Sequence, residues 1–363
     1  MMINLLKEVG RGKRGARDLT YEEALQAAEA ILGRDATDAQ IGAFLIAERI
    51  KMESVEELEA FVAVCRKYAL REPVLEGGID CAGPYDGRKS SFFATFATAF
   101  VLASSGLPVT LHGTSSLPPK RGITMMDMMK HMGIDAARLS REASLRAARQ
   151  TGILFVPSEL WCPPLKRLRH IREELGMRTV INTAEKLVDY SHSPYLAFGV
   201  FHNTVFDRMA RLMTKLGYRK AIIVQGAEGS EDLFVNRPTR VYIVSGGEAE
   251  MKIVDPEEYG LDTPLPDTEW TAAGQVRVLE DVLRGVAELG YLNQTLLNAA
   301  VRLHLAGRAG SVEEGLYISK ANLESGKALR LYEQWRSALA GGDGDESLHE
   351  RHAQAAPQSL HRT

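Results

Sequence analysis

The chain has 363 residues, 45% hydrophobic and 25% charged, which is enough for a large core and two domains. Its formal net charge of −3 excludes wholesale electrostatic attraction to nucleic acid, though not a local basic patch. Cys65, Cys81 and Cys162 show no metal or redox spacing, the N-terminus lacks a signal-like apolar region, and no window reaches the ~18 continuous apolar residues of a membrane helix. The expectation is a cytoplasmic protein with no membrane partner.

Residues 1–70 read as helices alone. Capping boxes recur at Thr20–Glu23, Thr37–Gln40 and Ser54–Glu57, and Leu58, Phe61, Val62, Cys65 and Ala69 fall at helical spacing. Four short helices in a small bundle are predicted, the first two joined by a basic loop with Arg11, Lys13, Arg14 and Arg17. From about 75 the pattern changes to strands alternating with helices. Phe92–Ser105 is apolar or small throughout and predicts a buried helix. Strands are predicted at 107–111, ending at His112-Gly113, at 152–156, stopped by Pro157, and at 219–224, bounded by Gly226. Val241–Val244 and Met251–Val254 flank Gly246-Gly247 as a hairpin, and helices follow at 270–287, 291–306, 312–325 and 327–338. This alternation implies a mainly parallel sheet covered on both faces, with ligands beyond the strand C-termini. The domains are read as 1–75, helical, with a helical insertion near 159–187 packing on it; 76–338, α/β; and 339–363, a disordered tail.

Two separated stretches suit a phosphorylated ligand. In Asp80–Lys89, Gly83 and Gly87 allow backbone N–H groups to approach an anion, beside Asp86 and the cations Arg88 and Lys89, of which the two cations are expected on an exposed loop. In Gly226–Asp232, adjacent Glu231 and Asp232 at a strand end could hold Mg2+ shared with phosphate. Plain surface turns and a solvated acidic pair are the alternatives. His112 could be a catalytic acid or a satisfied strand-end histidine. Leu165, Leu168, Ile171 and Leu175 form an apolar stripe on which Arg172 faces inward; its guanidinium requires either a ligand anion or an internal salt bridge. Met125, Met126, Met128, Met129 and Met132 read as helix core.

The order of these signals over about 5–335 resembles the anthranilate phosphoribosyltransferase family, glycosyltransferase family 3, including its divergent second subfamily. Asp80–Gly87 resembles the family's pyrophosphate loop, Lys120-Arg121-Gly122 its Lys-Ser-Gly segment, and Phe155-Val156-Pro157 its Phe-Ala-Pro strand end. Leu175–Asn182 is similar to its Leu-Gly-x-Arg-Thr-x-x-Asn, Gly199-Val200-Phe201 to its next strand, and Glu231-Asp232 to its Mg2+ acidic pair. The resemblance implies a class III phosphoribosyltransferase or nucleoside phosphorylase-like α/β fold, with a small N-terminal helical domain through which the protein dimerises. It implies phosphoribosyl pyrophosphate bound with Mg2+ near Gly83, Asp86, Gly87, Arg88, Lys89, His112, Gly113 and Lys120, and an aromatic amine, anthranilate, oriented by Arg172. Catalysis would be positioning and charge stabilisation.

The family loop Gly-Thr-Gly-Gly-Asp-Gly is shortened here and carries Pro84-Tyr85, which removes a donor and adds bulk. The helix that follows has Phe93-Ala94-Thr95-Phe96 for Asn-Ile-Ser-Thr. Tyr85 is therefore expected in part of the usual pyrophosphate volume. A lapsed homodimer binding single-stranded nucleic acid is the alternative, using Arg11, Lys13, Arg14, Arg17, Arg88, Lys89, Lys120, Arg121, Lys166, Arg167 and Arg169.

Overall fold

A computed structural model describes residues 1–12 and 14–340. Lys13 of the basic loop and most of the expected tail, 341–363, lie outside them. Four helices open the chain: α1 (Met2–Val9), α2 (Tyr21–Gly33), α3 (Asp38–Lys51) and α4 (Val55–Tyr68). The expected capping boxes form: Thr20, Thr37 and Ser54 each accept from the N3 amide, and Glu23, Gln40 and Glu57 reciprocate. Burial follows the helical period, with Leu58, Phe61, Val62 and Cys65 of α4 inside.

The rest is built on a seven-stranded sheet in the order β3-β2-β1-β4-β5-β6-β7. The strands are β1 (Ile79–Ala82), β2 (Val109–Gly113), β3 (Ile153–Pro157), β4 (Tyr195–Gly199), β5 (Lys220–Val224), β6 (Thr239–Ser245) and β7 (Glu248–Val254). The first five run parallel and the last two antiparallel, as a mainly parallel sheet requires. Gly246 and Gly247 turn the β6–β7 hairpin with φ of 59° and 87°, the paired positive values a two-residue hairpin loop favours. β1 and β4 were not predicted from alternation: all their residues are buried, so they show no period of two.

One face of the sheet carries α5 (Ala94–Ser104) and the helices after 270, packed through Phe96, Phe100, Leu279 and Trp335. Met125, Met128 and Met129 are buried in this core, as read from sequence. The other face shares a core with the N-terminal bundle through Phe44, Phe61, Trp161, Leu196 and Phe198. The apolar stripe from Leu165 to Leu175 does not lie on one helix: it breaks at Leu168 into Pro163–Arg167 and Arg169–Leu175. These pieces and Val180–Ala184 pack on α2, α3 and α4. This places a cleft between the bundle and the strand ends. No helix among the described residues is long and apolar enough to cross a membrane.

Candidate active site

The C-terminal ends of β1, β4 and β5 meet at the two loops singled out in the sequence. They meet closely: a Cβ on Gly83 would stand 2.5 Å from Glu231 Oε2, which explains glycine there. Gly87 has φ of 76° and lies against Gly122, so that Arg88 and Ile123 exchange backbone hydrogen bonds of 2.8 Å. This bridge turns Arg88 inward. Instead of lying on an exposed loop it is 1% exposed, and its guanidinium meets Asp232 Oδ2 at 2.6 Å and donates to the Phe92 carbonyl. Lys89 is exposed as expected.

Asp232 is saturated. Beyond Arg88, its Oδ1 accepts from Thr95 Oγ1 at 2.5 Å and lies 3.2 Å from Arg302 Nη2. Burial pushes this carboxyl up, but Arg88 and Arg302 outweigh it and hold the group below the usual range. Glu231 is buried too, yet its Oε2 has no partner. Neither Glu231 nor Asp232, read from sequence as a pair that could hold Mg2+ shared with phosphate, lines the cleft. Mg2+ is not well served by this pair. Asp232 offers no oxygen clear of two guanidinium groups, and among the described residues no cluster of three or more His, Cys, Asp or Glu side chains could hold a metal.

Tyr85 is buried, with its hydroxyl 2.6 Å from His112 Nδ1, 2.8 Å from Ser158 Oγ and 3.1 Å from the Glu185 carbonyl. Its ring also lines the cleft wall. His112 Nε2 lies 2.9 Å from Asp80 Oδ1 but makes no hydrogen bond there, so this buried strand-end histidine is held through Nδ1 by the Tyr85 hydroxyl. Gly113 ends β2 beside Met125. Arg172 is not turned to a ligand. It makes a bidentate pair with Glu185, both contacts 2.7 Å, and is 3% exposed, so the internal salt bridge is the alternative realised.

The cleft itself encloses about 350 Å³. Of the residues predicted for the site, Asp86 lines it directly, bound by Arg178 at 2.5 Å and Lys120 at 3.2 Å. Burial pulls the Lys120 amine down. Arg49, Arg178, Lys186 and Arg208 supply the cleft's cations, alongside Asn182 and Phe201. Lys186 was missed in the sequence. Its Nζ donates to the Gly199 carbonyl at 2.8 Å and sits 3.8 Å from the Phe198 ring centre; burial pushes its pKa down to about 8. The signal available was a charged pair, Glu185-Lys186, set between apolar Val180, Ile181, Ala184, Leu187 and Val188.

Glu228 was also missed. It sits at φ 55°, and its carboxylate accepts from Lys89 N, Ser90 N and Ser91 Oγ at 2.7–3.2 Å. Two backbone donors at the end of this loop, Lys89 N and Ser90 N, are thus held by a side chain of the chain itself.

Two family models match this architecture: "Glycosyl transferase family, helical bundle domain" over residues 3–69 and "Glycosyl transferase family, a/b domain" over 83–329. The chain belongs to this glycosyl transferase family. It is 30% identical to the anthranilate phosphoribosyltransferase of Persephonella marina over 342 residues, 93% of this chain and 100% of that one. To the anthranilate phosphoribosyltransferase of Rubrobacter xylanophilus it is 31% identical, covering 91% of this chain and 96% of that one. Its fold is similar to that of the Thermus thermophilus anthranilate phosphoribosyltransferase, with a TM-score of 0.80 at 24% identity over 93% of this chain and 99% of that one. It is also similar to the Saccharomyces cerevisiae anthranilate phosphoribosyltransferase solved in complex with PRPP and Mg, with a TM-score of 0.76 at 18% identity over 94% of this chain and 98% of that one. The two halves of this glycosyl transferase face each other across the cleft that holds Asp86 and Lys186.

Proposed function

We propose that this glycosyl transferase moves a phosphoribosyl group from phosphoribosyl pyrophosphate to an aromatic amine, anthranilate, in the cleft between bundle and sheet. The observation that carries the reading is the set of cations, Arg49, Arg178, Lys186 and Arg208, on a cleft at the ends of the parallel strands. In the reaction the ribose C1–oxygen bond breaks and its electron pair leaves with pyrophosphate, while the amine nitrogen bonds to C1 and gives up a proton to the leaving group or water. Lys186 and Arg178 stabilise the charge that develops on pyrophosphate. With Arg172 committed to Glu185, the acceptor carboxylate is met by one of the cleft cations instead. Glu228 must leave the Lys89–Ser91 donors before a phosphate takes them. Of the two carboxylates expected to serve Mg2+, only Glu231 has an oxygen to offer, so no step is assigned to the metal.

Dimerisation through the bundle is part of the proposal, supported by an apolar groove between α1 and α3 at which Ile3, Ile50 and Met52 are exposed. The polyanion-binding alternative loses most of its cations to internal pairs: Arg11 and Arg17 with Glu8, Arg88 with Asp232, Lys120 with Asp86, and Arg121 and Arg169 with Glu173. The deciding experiment is release of pyrophosphate from the donor with and without anthranilate. Release that depends on anthranilate and collapses in Lys186→Met supports the proposal. A folded protein that releases none, and instead binds single-stranded nucleic acid with steep salt dependence, overturns it.

A further inference from the structure

A second concavity, about 810 Å³, adjoins the cleft and shares Phe201 and Glu228 with it. We propose that it binds a nucleoside monophosphate. This does not rest on the transfer reaction, and three observations carry it.

The first is an aromatic wall. Phe92, Trp270 and Tyr291 pack together with ring centres 5.2–6.0 Å apart; Phe92 and Tyr291 are buried, and Trp270 is half-buried at the groove. Such a wall receives a flat heterocycle by stacking. The second is an orphaned acceptor. Gln294 lines the groove and is 2% exposed; its Nε2 donates to the Leu233 carbonyl at 3.1 Å, but its Oε1 has no partner. A buried amide oxygen left unpaired is costly, and a ring N–H or exocyclic amine of a base would satisfy it. The third is charge at the rim. Arg237 and Arg240 are exposed, and among the described residues neither pairs with a carboxylate; the Arg237 guanidinium lies 3.8 Å from the Phe234 ring centre, which holds it in place. The groove's one lining carboxylate, Glu228, is turned to Lys89, Ser90 and Ser91. Two guanidinium groups without partners suit a phosphate.

A flat wall, a base-edge acceptor and a cationic rim fit a base joined to a phosphate. Phosphoribosyl pyrophosphate has no aromatic ring for the wall, and a small aromatic acid has no phosphate for the rim.

The chain gives the test its own reporter. Of its three tryptophans, Trp161 and Trp335 are 1% and 0% exposed, so Trp270 is the one a quencher reaches. The full-length protein is titrated with AMP, adenosine and inorganic phosphate while acrylamide quenching of tryptophan fluorescence is followed, with calorimetry in parallel. AMP should protect Trp270 saturably, and Trp270→Phe should remove the signal. Arg237→Ala combined with Arg240→Ala should weaken AMP by about tenfold or more and leave adenosine unchanged. Both arginines are exposed and unpaired, so the double variant should fold, as its melting curve will show. The proposal is overturned if millimolar AMP leaves quenching unaltered, if calorimetric binding occurs without protection of Trp270, or if the double variant binds AMP like the parent.

Discussion

Asp232 and Lys186 are both buried charges at the strand ends, and their surroundings differ in a way that separates scaffold from site. Asp232 sits among Thr95 and Arg302, which donate to it, and Arg88, which pairs with it at 2.6 Å. Lys186 has one carbonyl, from Gly199, and a ring face. A buried charge whose partners are complete has nothing left for a ligand; one held by a neutral acceptor keeps its charge available. Exposure separates the two arginines: Arg172 is closed on Glu185 at 3% exposure, whereas Arg178, though paired with Asp86, keeps 33% of its side chain exposed at the cleft.

The sharpest way to break this comparison is Asp232→Ala. It strands two buried guanidinium groups and should cost about 3–5 kcal/mol of folding stability, read from urea unfolding. A variant as stable as the parent would show that Asp232 is not the anchor described. Arg172→Met comes next. It leaves Glu185 buried without its partner and should lower stability by about 3 kcal/mol at neutral pH. An acceptor-binding role predicts instead an unchanged melting temperature with a raised KM for anthranilate.

Lys186→Met should move in the opposite sense, holding or raising stability while removing anthranilate-dependent pyrophosphate release. The pH profile gives a second reading. The folded amine has its pKa pushed down to about 8 by burial, while the unfolded lysine keeps its proton to about 10.4. Between these values the unfolded chain binds more protons, so stability should rise with pH, by up to about 1.4 kcal/mol per pH unit, and the rise should vanish in the variant. Gly83→Ala has the smallest expected cost, about 1 kcal/mol, because the side-chain end of Glu231 can shift away from the new methyl group. A crystal structure of that variant should show the Glu231 carboxylate displaced; an unmoved carboxylate would contradict the close approach.

Much of this was legible in the sequence. The capping boxes gave the bundle, since a cap is set by residues three apart. The hairpin at Gly246-Gly247 and the buried helix after Phe92 follow from equally local signals. Arg172 was rightly read as inward-facing, but its partner Glu185, thirteen residues on, was one of two open possibilities. Arg88 misled because a loop cation beside Lys89 looks solvated; the bridge to Ile123 that turns it inward joins residues 35 apart. Glu228 and Arg302 were invisible for the same reason: their partners come from distant segments. Local chemistry specified the elements, and long-range pairing decided which charges remained available.

The β6–β7 hairpin has a consequence for how strand alignment is enforced. From Glu248 to Ile253 every residue of β7 is exposed, so no buried stripe distinguishes one pairing offset from its neighbour. Alignment at this end of the sheet is therefore delegated to Gly246 and Gly247, whose left-handed backbone admits a loop of one length. Glu248, Glu250 and Lys252 complete the arrangement. An outermost strand with its peptide groups open on one side invites another chain to dock, and charge along that ribbon discourages it.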